Sequence, residues 1–560
     1  MKKKIVSLAA FLSLSLAVVF AGNDKGIEFY KMGMYDAAKD VFAQQSAQSG
    51  DEQAIAAYYL GLVYAQEQNT KAAEAQFQKA IDAAPQLAYG YIGKGRLELK
   101  NNAKAGEALL KQAEGMGKKN ADVLVKIAEA YFANDMIAKA QSLLGKAKAV
   151  DSKNADIYLL EADIILTKGK DSETIGKAIS KGRDAVSFSN NKDKVALVKL
   201  AQLYMMVGGL SLALENVNRA LAIDAGFPPA NTELGNVKYT QGRYKEAVEA
   251  YEKALATSVK VPVEYYENYA YALYFNKQYE KSLQEIEKNL LLRPNNTTLL
   301  RLQAYNMYEL KQYEEGYAKM EKFFATVPQD KQIYLDFITL GRLQVQLKKY
   351  DSAIENLNKA IALDAEKTEP YKELALAYAA KENYEEGVKY FEKYFEMTPK
   401  ALASELNTFG EMNTNAAATI LDNNKKDVKA LQANQQLFNS YVEKGAKAFS
   451  DLIALAPELH IGYLNRAYLY SMADGYEYGI TGKNKGVSLP YYNEALEVML
   501  KNNADGRFNR SIAEAYNSQA RYYIQNDETK NAIELYRKAL AVDPTNADAI
   551  KVLTQLKVKF

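Results

Sequence analysis

The stretch GNVKYTQGRYKEAVEAYEKALA, from Gly235 to Ala256, decides the fold. Leu234 and Gly235 sit in one apolar-periodic segment, and Gly242-Arg243-Tyr244 interrupts it. A second segment then carries Ala247, Tyr251 and Ala254 at i, i+4, i+7 spacing, which places all three on one face of a helix. The spacing predicts two short amphipathic helices with a tight turn between them.

The layout repeats along the chain. YALYFNKQYEKSLQEIEKNLLLRP ends at Pro294, YNMYELKQYEEGYAKMEKFFATVP at Pro328, and LALAYAAKENYEEGVKYFEKYFEMTP at Pro399. The tyrosines that open the second helices are Tyr244, Tyr279, Tyr313, Tyr350 and Tyr384, at gaps of 35, 34, 37 and 34. Gly and Pro together are only 42 of 560 residues, so long stretches pass without a helix breaker.

A helix pair repeated about every 34 residues resembles the tetratricopeptide repeat family. The small residue of its first helix corresponds here to Gly61, Gly235, Ala270, Ala304, Gly341 and Ala375. The small residue early in its second helix corresponds to Ala73, Ala213, Ala247, Gly316, Ala353, Gly387 and Ala532. A bulky residue follows one turn later, as in Phe77, Tyr251, Phe391 and Tyr536. Alanine or glycine lets two helix backbones approach, and the bulky side chain fills the space towards the next pair. One pair alone leaves an apolar face uncovered, so stacking must continue. The resemblance implies an all-α, right-handed superhelical solenoid of about fourteen helix pairs.

Five segments are expected. Residues 1–21 read as a cleavable export signal: MKKK, an apolar run from Ile5 to Phe20, then Ala21. Residues 22–190 form a degenerate array in which GKDSETIGK and SFSNNKDK mark the expected bend. Residues 191–399 form the regular array, and 400–457 a unit with a helical insertion. Residues 458–560 hold the last units, with a Gly-rich loop over ADGYEYGITGKNKGVSLP and a capping helix. The insertion is inferred from prolines: Pro399 to Pro457 is 58 residues, 24 beyond one period.

Composition narrows function. Lys and Arg number 71 against 69 Asp and Glu, so no strong positive field recommends nucleic acid as a partner. The absence of Cys excludes disulfides and thiolate chemistry, and His460 alone cannot supply a multi-histidine metal site. GITGKNKG, Gly479 to Gly486, lacks phosphate-loop spacing. No catalytic, cofactor or metal site is read from the chain.

A binding surface is the stronger expectation. In the family resembled, first helices line the concave side and hold ligands. That implies a peptide-binding face made of Asn236 and Tyr239, then Tyr271 and Tyr274, then Arg301, Tyr305 and Tyr308. Gln202, Met205, Thr232 and Glu267 flank it. Adjacent tyrosines can pack against a peptide and hydrogen-bond at their rim. The family's carboxylate clamp is not reproduced, because Thr232 and Tyr271 stand where it calls for lysine and asparagine. The resemblance therefore implies a non-enzymatic scaffold, periplasmic or otherwise exported, that holds a protein or peptide partner. No transmembrane segment is expected after signal cleavage. The alternative is an accessory subunit of an envelope enzyme or assembly machine.

Overall fold

The computed structural model describes residues 24–256, 259–398 and 400–559; the expected export signal and Pro399 lie outside them. Among the described residues there are twenty-nine α-helices and no strand. Twenty-eight of them alternate as fourteen hairpins, and Ala547–Gln555 closes the series. The opening stretch forms the hairpin Pro228–Thr240 and Tyr244–Leu255, followed by Val263–Phe275 with Tyr279–Leu292.

Three local devices recur among the hairpins. The first is a left-handed turn residue two positions before the second helix: Gly33, Gly208 and Gly242 at φ 73°, 70° and 72°, but Lys277, Lys311, Lys348 and Glu382 at φ 58–63°. The second is an Asn or Asp cap, as where Asn69 Oδ1 accepts from the Ala72 amide and Asp193 Oδ1 from those of Val195 and Ala196. The third is the small-residue crossing. A methyl group on Gly61 would stand 2.4 Å from the Phe77 ring, and one on Gly341 2.7 Å from Leu357. Only a bare Cα fits at such a contact.

The chain divides into two compact units after Asn306, inside the helix Thr297–Glu309. In the first unit a continuous core runs from Phe29 to Val237. The polar GKDSETIGK is a turn and the start of a 17-residue helix, Ser172–Phe188, capped by Asp171.

In the second unit the insertion adds no separate helix. It lengthens both members of one hairpin, Ala403–Asn424 to 22 residues and Val428–Leu455 to 28. The crossing survives: a methyl group on Gly410 would stand 2.4 Å from the Phe449 ring, although the two residues are 39 apart where Gly61 and Phe77 are 16 apart. The next first helix, His460–Thr481, is lengthened to match.

That helix corrects one expectation. Residues 473–481 continue the helix, and only 482–488 form a loop. Tyr476 is the reason. Its ring stacks on Phe438 at 3.8 Å and its hydroxyl donates to the Leu431 carbonyl, so tertiary packing overrides the helix-weakening glycines at 475 and 479. The short loop is anchored rather than loose. Asp474, almost wholly buried, accepts from the amides of Val487 (2.8 Å) and Ser488 (2.9 Å).

Candidate functional site

First helices of successive hairpins lie beside one another in each unit. In the first unit their polar side chains are tied together. Asn236 is a junction: its Oδ1 accepts from the Tyr251 hydroxyl (2.7 Å) and from Asn268 Nδ2 (3.1 Å), while its Nδ2 donates to Glu233 (3.1 Å). Asn296 likewise donates to Glu267 on the preceding hairpin at 2.5 Å. Glu233 is almost fully buried, and burial holds its carboxyl above the usual range despite the hydrogen bonds of Asn236 and Gln202. Asn236 thus fixes the spacing of two first helices, a role that its sequence position alone did not disclose.

The tyrosines follow a second rule. The last-turn tyrosine of a first helix packs on the tyrosine that opens the second. Ring centroids are 5.6 Å apart for Tyr239 and Tyr244, 5.6 Å for Tyr274 and Tyr279, and 5.9 Å for Tyr308 and Tyr313. Tyr30 and Tyr35 repeat the arrangement at 5.7 Å. Tyr239 also meets Phe275 of the next hairpin at 5.7 Å, and burial pushes its hydroxyl up to about 12. Tyr274 reaches Tyr305 at 6.3 Å. Tyr271 and Arg301 are half-buried, and Tyr305 is buried. Tyr308 belongs to the second unit, where the Arg342 guanidinium lies 5.8 Å from its ring. Arg342 in turn bridges to Glu369 (2.8 Å) and Glu373 (2.5 Å) on the next first helix.

A second feature of the first unit was not anticipated. Lys31, at the end of the first helix, donates to both carboxylate oxygens of Asp156 at 2.6 and 2.8 Å, although 125 residues separate them. Lys194 likewise reaches back to Glu28 at 3.0 Å. First helices from six hairpins surround a chamber of about 820 Å³ with Lys31, Arg96, Lys126 and Asp156 in its wall. Burial raises the Asp156 carboxyl, but Lys31 and then Lys126 more than reverse this and hold it at about 2. No periodicity reports a contact of this range. The only trace in the sequence is a cluster of charges on otherwise apolar first helices.

The remaining residues singled out from the sequence have structural surroundings. His460 packs its ring against Phe508 at 4.3 Å, and burial, aided by Arg507, lowers its basicity. In the loop that shares residues with GITGKNKG, Asn484 donates to Gln525 (2.6 Å) and Lys485 pairs with Glu477 (2.9 Å). Among the described residues no group of three or more potential metal ligands is found, and no helix is long and apolar enough to cross a membrane.

Known sequences agree with the hairpin geometry. One tetratricopeptide repeat profile matches residues 23–88, 232–294 and 338–401, and a second matches 513–546. The chain is 23% identical over 369 residues to the BBSome complex member BBS4 of Bos taurus, a match covering 64% of this chain and 63% of that protein. It is 29% identical over 119 residues to a small glutamine-rich tetratricopeptide repeat-containing protein of Mycosarcoma maydis, covering 21% and 28%. The chain therefore spans less than two thirds of the length of these curated relatives. Among solved structures, the C-terminal part of a repeat protein from Cytophaga hutchinsonii is 23% identical, with a TM-score of 0.39, over 51% of this chain and 98% of that one. With the repeat profile recurring along the chain and the hairpin geometry that surrounds it, the chain belongs to the tetratricopeptide repeat family.

Proposed function

We propose that the protein is a non-enzymatic scaffold which holds an extended segment of a partner protein against the first helices of its first unit. Tetratricopeptide arrays serve typically as binding scaffolds, because stacked hairpins build a long surface from side chains that need not cover a core. The observation that carries the reading is the tying of successive first helices, Asn236 to Asn268 and Glu267 to Asn296. These bonds fix helix spacing before any ligand arrives, which lowers the ordering cost of binding. Tyr271, Tyr274, Tyr305 and Arg301 supply aromatic surface and a cation on that framework, with Tyr239 and Asn236 beside them. Mature protein would work outside the cytoplasm, a reading supported by the MKKK and apolar run that open the sequence.

The test is a double substitution, Tyr271→Ala with Tyr305→Ala, applied to tagged protein recovered from an envelope fraction. Loss of a defined co-purifying protein, with helicity retained by circular dichroism, supports the reading. Unchanged recovery of the same protein removes this face as the holding surface.

A further inference from the structure

The chamber of the first unit carries an inference separate from the partner face. Its volume of about 820 Å³ falls within the roughly 300–1,000 Å³ of small-molecule sites. Five cations line it, Lys31, Arg96, Lys100, Lys126 and Lys199, against three carboxylates. Each carboxylate has its own cation: Asp156 pairs with Lys31 at 2.6 Å, Glu129 with Lys126 at 2.6 Å, and Asp163 with Lys199 at 3.6 Å. Arg96 and Lys100 are left over. They stand one turn apart on the helix Tyr89–Asn101, and neither has a carboxylate partner among the described residues.

An unpaired guanidinium that is half-buried has lost hydration without a compensating charge, and two cations at i, i+4 repel. A bound anion removes both penalties through charge-assisted hydrogen bonds. The chamber also offers an apolar side, with Tyr30, Tyr35, Phe132 and Leu159 in its wall. Asn134 lines it too, and its Oδ1 is buried without a hydrogen-bond partner.

We infer that the chamber binds a small organic anion, its carboxylate or phosphate group held by Arg96 and Lys100 and its apolar body against Tyr35 and Phe132. The near-neutral chain as a whole would not suggest such a ligand. The surplus charge arises because three of the five cations are already neutralised in place.

Isothermal titration of the full chain with phenyl phosphate, phthalate and inorganic phosphate tests this. Saturable binding of an aromatic anion is expected, tighter than that of inorganic phosphate and weakened at least tenfold by Arg96→Gln with Lys100→Gln. The control Lys118→Gln with Lys119→Gln, at exposed positions outside the chamber, should leave binding unchanged. Preference for phenyl phosphate or for phthalate assigns the anionic group to phosphate or to carboxylate. If the double variant loses helicity, the exposed Lys100→Glu alone serves, with weakening again expected. Failure of both aromatic anions to bind, or equal binding by the chamber variant, overturns the inference.

Discussion

Gly235 and Tyr251 are fitted to each other: a methyl group on the glycine would stand 2.5 Å from the tyrosine ring, itself buried and held by Asn236. The ring cannot withdraw without breaking its hydrogen bond, so Gly235→Ala should cost about 1–3 kcal/mol through overpacking. Gly242→Ala, seven residues on, should cost about 1–2 kcal/mol for a different reason. Nothing lies within 4 Å of its added methyl, but φ is 72°. Urea unfolding of the two variants separates the mechanisms when Tyr251→Leu is added, since relief is expected only for Gly235→Ala. Equal relief at both positions would show that crossing and turn are not distinct devices.

The turns themselves predict a gain. Lys277, Lys311 and Lys348 hold left-handed backbone that favours glycine or asparagine. Lys311→Asn should raise stability by up to about 1 kcal/mol with no change in the urea dependence of unfolding. A loss of stability would mean that the lysine side chain compensates its own backbone.

The pairing of Lys31 with Asp156 makes the first unit acid-sensitive. The Asp156 carboxyl titrates at about 2 in the folded chain, below its ordinary value, so its contribution is present above about pH 4 and is lost as pH falls towards 2. A lowering of that size corresponds to about 2 kcal/mol. Lys31→Met should therefore lower stability at pH 7 and move acid unfolding to higher pH. The difference from the parent chain should close near pH 2. A variant equally destabilised at pH 7 and pH 2 would place the effect in packing, not charge.

Asp474 should control the loop at 482–488. Asp474→Ala removes the acceptor for the Val487 and Ser488 amides, and hydrogen exchange at those two amides should rise at least tenfold. Unchanged protection would mean that Asn484 and Lys485 hold the loop unaided.

What the sequence displayed was the relation of each hairpin to its neighbours. The crossings at Gly61, Gly235 and Gly341 and the turn tyrosines recur with the period, because stacking of identical units repeats the same contact. The helix lengths around the insertion were harder to read. Glycines at 475 and 479 suggested a loop, while the deciding contact, Tyr476 on Phe438, lies 38 residues away. The site was legible only in part. Tyr271, Tyr274 and Tyr305 fall on first helices as expected, but the role of Asn236 depends on partners 15 and 32 residues off. The chamber was invisible, since Lys31 meets Asp156 only across three intervening hairpins.

A photo-reactive residue installed at Tyr271, compared with one at the exposed Glu287 on the following second helix, asks most directly where a partner is held. Irradiation in the intact cell should join one defined protein to the chain from position 271 and not from 287. Adducts from 287 alone, or the same adduct in equal yield from both, would contradict a partner seated on the first helices.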